Sequence, residues 1–232
     1  VFEKPALELS PESGNDEVRI KQGRPYTNEQ ILRSSKKAKE IGVTHQIFWF
    51  QIGNGFDSEA SLADTQKICK DLISIDKDYI YPFLSPLCPY IDPGSIAFEN
   101  PEQNGYKLLY PTLKEQIKGF EKPLWKYYLN YETKNFNRDQ IVFQSYEQGK
   151  ILNHIKCEKG AITHEQEIKL NRLLDLSFNL HTKMENMIQS NKSIDEINDK
   201  IKAGFNVKNT MLMKREHDML AKALGRLHLT NH

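Results

Sequence analysis

The chain has 232 residues, with 32 lysines and arginines against 31 acids and 38% hydrophobic residues. That size and balance fit a globular protein of one large domain or two small ones, long enough to bury a substantial core. Near-neutral charge argues against a whole-molecule electrostatic footprint for nucleic acid, and no apolar run approaches the length of a membrane-spanning helix.

The first third alternates strand and helix. Val1 runs straight into a strand-like segment, with Pro5-Ala6-Leu7-Glu8-Leu9 as the first strand and Ser10 to Asn15 as a loop by composition. The opening at Val1, with no initiator Met, leads us to expect a piece of a longer protein. Thr27 caps a helix with Gln30 as the capping-box partner. Ile31, Leu32, Ser35 and Ala38 share one face of it, and Gly42 stops it. Ile47-Phe48-Trp49-Phe50 is apolar without alternation, the pattern of a strand buried on both faces of a parallel sheet. Gly53-Asn54-Gly55 closes that strand in a loop, and Leu62, Thr65, Ile68, Cys69 and Leu72 place a second helix over about Glu59 to Ser74. Tyr79 to Leu84 forms a third strand, in which Pro82 favours an edge or a bend. The order β-α-β-α-β calls for parallel strands with crossover helices, and ligands of such sheets sit beyond the strands' carboxyl ends. The loops at Ser10–Asn15, Gly53–Ser58 and Ser85–Tyr90 are therefore expected on one face.

From Ser85 to Pro123 prolines and glycines break any period, with short helices expected at Thr112–Phe120 and Pro123–Tyr131. Asn137 with Gln140 starts a helix over about Arg138 to Glu158 that ends near Gly160. Thr163 with Gln166 starts another, and Ser193 with Glu196 a third. Lys200 to His232 carries seven basic residues against two acids; a solvated basic helix face is the default reading, and nucleic acid or acidic lipid the alternative. Cys69, Cys88 and Cys157 are too widely spaced for a local metal motif, and the seven histidines show no paired ligand spacing, so no metal ligand is assigned. An odd, sparse cysteine count suits a reducing compartment, and with no leader in view the expected location is cytoplasmic.

Several strings then fall in a telling order. Leu7-Glu8-Leu9-Ser10-Pro11-Glu12-Ser13, Glu17-Val18-Arg19 and Gly23-Arg24-Pro25-Tyr26-Thr27-Asn28-Glu29 are followed by Phe83-Leu84-Ser85-Pro86-Leu87 and Asp92-Pro93-Gly94-Ser95. Phe98-Glu99-Asn100-Pro101-Glu102, Gly105-Tyr106, Trp125, Leu129-Asn130-Tyr131-Glu132-Thr133 and Arg138-Asp139 complete the series. Over roughly residues 5–162 this series resembles radical SAM proteins that carry a cobalamin-binding domain. The resemblance implies an α/β fold: residues 1–95 as the last three β-α units of a partial (β/α) barrel, 96–160 as a family-specific extension, and 161–232 as a mostly helical C-terminal tail. It implies S-adenosylmethionine, a [4Fe–4S] cluster and a cobalamin as cofactors, with radical methyl transfer or related chemistry in the intact enzyme. The Cx3Cx2C cluster motif of that superfamily is absent here, so this chain by itself is expected to be inactive.

By the same resemblance Ser10, Glu12 and Ser13 match positions that touch the ribose or methionyl part, where a carboxylate accepts from a hydroxyl or an ammonium. Gly53, Asn54 and Gly55 match the turn whose backbone approaches the adenine. Relatives often read Gly-Leu-Pro-Gly-(Gln/Glu)-Thr there, whereas this chain reads Gly53-Asn54-Gly55-Phe56-Asp57-Ser58. Each residue has a plainer role as well. Glu12 can cap a helix or sit in solvent, Gly53 and Gly55 can serve a turn alone, Arg24 can be structural, and Trp125, Tyr127, Tyr128 and Tyr131 can pack as core. Two further functions stand beside the enzyme: a non-catalytic α/β binding or scaffolding protein, and an RNA-modifying enzyme whose basic tail holds its substrate.

Overall fold

The computed structural model describes residues 5–86, 90–190 and 196. The chain divides into two compact units, Val1–His181 and Thr182–His232. In the second, Thr182–Gln189 are helical; the expected cap at Ser193, the basic stretch from Lys200 and Cys88 lie outside the described residues.

The first unit is built on three parallel strands, β1 (Ala6–Glu12), β2 (His45–Ile52) and β3 (Ile80–Pro86), in the spatial order β1-β2-β3. Two short helices, α1 (Asp16–Lys21) and α2 (Asn28–Glu40), link β1 to β2, and α3 (Glu59–Ile75) links β2 to β3. The start of α2 is fixed by a capping box in which Thr27 Oγ1 accepts from Gln30 N–H at 3.2 Å and Thr27 N–H donates to Gln30 Oε1 at 2.8 Å. Gly42 follows that helix with φ +92, a left-handed turn that a side chain would strain. The strand ladder pairs Leu9 with Phe48, and Phe48 in turn with Pro82. Pro82 thus sits on a strand that flanks the sheet among the described residues, where a missing N–H is tolerated.

β1 does not end at Leu9: it continues through Ser10-Pro11-Glu12, with an irregular register between Leu9 and Glu12, because β2 supplies a partner for it as far as Phe50. β2 is not fully covered on both faces. Phe48 and Phe50 pack under the helices with Ile68, Cys69, Leu72 and Ile80, and α6 (Arg138–Glu158) contributes Leu152 to that core. On the opposite face Trp49 and Gln51 are only half-buried, and Trp49 stacks on Phe83 with ring centroids 4.8 Å apart.

The irregular middle folds over the carboxyl end of the sheet. It contains α4 (Ile96–Glu99), β4 (Tyr106–Leu108), α5 (Leu113–Phe120), a 3-10 turn (Trp125–Tyr128) and β5 (Tyr131–Thr133). β4 and β5 pair antiparallel, with Tyr106 opposite Thr133. The helix expected over Pro123–Tyr131 is therefore only one tight turn, and Tyr131 belongs to a strand. Tyr106, Leu129, Tyr131 and Ile141 form a second core with Ile52 of β2 and Leu62 of α3. The Asn137 and Gln140 capping box starts α6, and Gly160 ends it in a left-handed turn before α7 (His164–Gln189). No helix among the described residues is long and apolar enough to cross a membrane.

Candidate functional site

The carboxyl ends of β1 and β2 meet in one hydrogen-bonded corner. β1 ends at Glu12, whose φ of +70 is the only left-handed value of a non-glycine residue among those described. Ser13 then turns the chain, its Oγ accepting from Asn15 N–H at 3.1 Å, while Asn15 Oδ1 caps α1 by accepting from Val18 N–H at 3.0 Å. The helix cap is thus Asn15, which leaves Glu12 for another partner. Its Oε1 meets Arg24 Nη2 at 2.5 Å. Burial raises the Glu12 carboxyl above its ordinary range, and the Arg24 guanidinium opposes that rise. Gly14 N–H donates to Thr65 Oγ1 at 2.8 Å, and a Cβ on Gly14 would lie 2.3 Å from Thr65 Cα, so this turn sits directly on α3.

The turn after β2 is organised by Asp57, which is 1% exposed. Its Oδ2 accepts from Gly53 N–H at 3.1 Å and Asn54 N–H at 2.9 Å. Asn54 Nδ2 donates to Glu12 O at 3.3 Å, tying the second turn to the first. Burial pushes the Asp57 carboxyl up to about 7, against the pull of those backbone donors. Of the three loops expected on one face, those at Ser10–Asn15 and Gly53–Ser58 meet through these contacts; β3 ends beside them with Ser85 opposite Gln51, and residues 87–89 of the third loop lie outside the described residues.

Five of the six residues singled out from the sequence, Glu12, Ser13, Gly53, Asn54 and Gly55, belong to this corner and are buried. Ser10 stands apart, exposed on β1. The chain itself makes the close approach at the glycine turn. A Cβ on Gly55 would lie 1.8 Å from Asn104 O, and one on Gly53 would lie 2.9 Å from Tyr131 Oη. Asn135 Nδ2 donates to Asp57 O at 2.8 Å, and the Tyr106 ring packs edge-on against Tyr131 with centroids 5.2 Å apart.

A polar surface remains beside this corner, on the half-covered face of the sheet. Gln51 Oε1 is buried without a hydrogen-bond partner among the described residues. Ser85 lies opposite it, and the Trp49–Phe83 stack occupies the next row. An orphaned acceptor of this kind costs about 1–3 kcal/mol unless something donates to it. Asp57, Tyr106 and Gln51 were not singled out from the sequence. The one legible cue was the offset of Asp57 from Gly53, which lets a carboxylate reach back over its own turn.

Substituting Asp57 with asparagine gives a pH test. The folded carboxyl titrates near 7 and the unfolded one at the ordinary value of 3.8. Its contribution to stability is therefore fully present below about pH 3.8, falls as pH rises, and is lost once pH passes 7. Asp57→Asn keeps an acceptor for Gly53 and Asn54 but does not titrate. Urea midpoints of the wild type are expected to decline between pH 5 and 7.5 relative to those of Asp57→Asn, and parallel profiles would show that Asp57 is ionised throughout.

No protein-family model matches the chain, and no curated protein matches it.

Proposed function

We propose that residues 5–86 are the last three β-α units of a radical SAM-type (β/α) barrel, and that the intact enzyme orients S-adenosylmethionine over the carboxyl ends of these strands. The observation that carries this reading is the sheet itself. Three parallel strands lie side by side in chain order, as barrel strands do, and Ala6 to Ser10 of β1 are exposed on both faces. A strand so bare is suited to further pairing, and additional barrel strands on that edge would bury Leu7 and Leu9, now 39% and 36% exposed.

The residues fit the proposed cofactors unevenly. Ser10 and Ser85 offer polar contacts for an adenosine on the half-covered face, and Gln51, whose Oε1 is buried without a hydrogen-bond partner among the described residues, joins them by turning outward. The Gly53–Gly55 turn does not fit the adenine contact that the resemblance implies, because Asn104, Gly105 and Tyr131 fill the space against it. The described cysteines do not fit a cluster either. Cys69 is fully buried in the core of α3 and Cys157 is at the end of α6, so ligands for [4Fe–4S] and for cobalamin belong to other parts of the intact protein. When bound, the reduced cluster and S-adenosylmethionine supply a 5′-deoxyadenosyl radical. This chain's share is to hold the adenosine and keep water from it, in the reducing cytoplasm such a cluster requires.

The test is anaerobic expression of the whole reading frame that contains this chain, followed by iron analysis and assay of 5′-deoxyadenosine release from S-adenosylmethionine with dithionite. About four irons per chain and release of the nucleoside are expected, and Gln51→Ala is expected to raise the KM for S-adenosylmethionine about tenfold. A colourless, iron-free product overturns the reading. It would favour a non-catalytic α/β binding or scaffolding protein, for which the packed glycine turn speaks.

A further inference from the structure

We infer that His154, Cys157, His164 and Glu167 form a binding site for a divalent transition ion, with Zn2+ the best match, that pins α7 to α6. The four residues come from two helical turns facing each other across Gly160. His154 and Cys157 are three apart on the last turns of α6, and His164 and Glu167 are three apart on the first turn of α7, so each pair lies on one helix face.

Three of the donor atoms converge, and His154 joins them through Glu167. The thiol of Cys157, a ring nitrogen of His164 and a carboxylate oxygen of Glu167 all lie within 4.8 Å of one another. His154 Nδ1 lies 2.9 Å from Glu167 Oε1, and His164 Nδ1 lies 3.3 Å from Glu167 Oε2. Zinc bonds of about 2.0–2.3 Å place tetrahedral ligands roughly 3.5 Å apart, so modest side-chain rotation closes the shell.

The scaffold around the quartet is rigid where it needs to be. Gly160 turns at φ +70, and the Lys156 carbonyl accepts from Ala161 N–H at 2.8 Å. Thr163 and Gln166 fix the first turn of α7 by reciprocal bonds of 2.7 and 3.2 Å. One turn further along, Asn153 Nδ2 donates to Asn171 Oδ1 at 2.9 Å and Lys150 pairs with Asp175 at 3.2 Å, holding the helices in register. The Glu167 side chain is 11% exposed, whereas the His154 and His164 side chains are 71% and 78% exposed. The central ligand is therefore fixed and the two imidazoles are free to swing onto an ion arriving from solvent. A thiolate, two imidazoles and a carboxylate are a zinc-type donor set, and a thiolate is a poor ligand for calcium or magnesium. Four protein ligands leave no open position, which makes the site structural. Binding displaces the thiol proton to solvent while the imidazoles donate ring lone pairs, so about one proton leaves per ion.

The test is titration of the chelator-treated full chain with Zn2+, and with Co2+ for its spectrum. One ion per chain is expected, with tetrahedral Co2+ bands, a near-ultraviolet thiolate-to-cobalt band and a rise in Tm on adding Zn2+. Cys157→Ser should abolish the thiolate band, and Cys88→Ser should keep it. Glu167→Gln, which retains an acceptor for the neighbouring groups, and His164→Ala should each weaken Zn2+ binding by at least about 100-fold, beyond the loss expected of a merely supporting residue. Circular dichroism of each variant separates lost binding from lost fold. A thiolate band that survives Cys157→Ser, an octahedral spectrum, or absence of stoichiometric binding overturns the site. Unchanged affinity in His154→Ala overturns the closed four-ligand shell.

Discussion

Arg19→Ala is expected to lower the stability of the first unit by about 3–5 kcal/mol, the cost of breaking a buried, fully hydrogen-bonded charge network. The Arg19 side chain is 0% exposed. Its guanidinium donates to Ser13 O from Nε at 3.1 Å and from Nη2 at 2.8 Å, and to Tyr26 O and Asp16 Oδ1 from Nη1, each at 2.7 Å. Nη2 also donates to Asn28 Oδ1. One side chain thus joins the turn after β1, the helix α1 and the entry to α2. Truncation leaves the Ser13 and Tyr26 carbonyls without these donors. Arg19→Lys should recover less than half of the loss, because a single ammonium cannot serve carbonyls on both sides of a planar fork. Asp16→Asn should cost much less, since Asp16 is 41% exposed and water can replace it. Urea denaturation of the three variants checks the ranking. A loss below about 1 kcal/mol for Arg19→Ala would mean that the corner is held by packing alone.

Local chemistry made much of the secondary structure legible. The boxes at Thr27, Asn137 and Thr163 each announce a helix by a side chain and a backbone three residues apart, and all three are present. Long-range pairing was not legible. β4 and β5 are three residues each, too short for a period of two to stand out, and they find each other only because Tyr106 and Tyr131 pack together against Ile52. The continuation of β1 through Pro11 was hidden for the same reason: composition marks Ser10-Pro11-Glu12 as a loop, and only β2 makes it a strand.

The corner at the carboxyl ends was half legible. Glu12 and Gly53–Gly55 were singled out from the resemblance, and Asp57 lay within reach of a local turn rule, but Arg24 is 12 residues from Glu12 and Asn104 is further still from Gly55, where no spacing rule reaches. The metal-type cluster was missed for a different reason. No two histidines and no two cysteines stand at ligand spacing, so neither residue type signals the site by itself. The cue is mixed: His154 with Cys157 before Gly160, and His164 with Glu167 after it, each three apart on a helix.

Gly55→Ala is expected to cost about 3 kcal/mol or more, at the upper end for overpacking, because the obstacle is backbone. Its Cβ would lie 1.8 Å from Asn104 O and 3.1 Å from Gly105 C. Gly105 itself has φ +77, and its carbonyl takes Lys134 N–H at 2.8 Å, so it cannot step back without breaking the link to the β5 end. Gly42→Ala is the matched control. That residue has φ +92 but nothing within 4 Å of an added Cβ, so only the conformational cost of about 1 kcal/mol applies. Hydrogen exchange locates the damage: the amides of Tyr106, Thr133 and Lys134 should lose protection in Gly55→Ala, while those of β2 keep it. The outcome also bears on function. If Gly55→Ala is as mild as Gly42→Ala and these amides stay protected, the segment around Asn104 is not seated on the turn. The backbone of Gly53–Gly55 would then be open to an adenine, as the family resemblance implies. If the loss is large and local, the glycines serve the chain's own packing, and only the half-covered face of the sheet, beside Gln51, is left for the adenosine contact we propose.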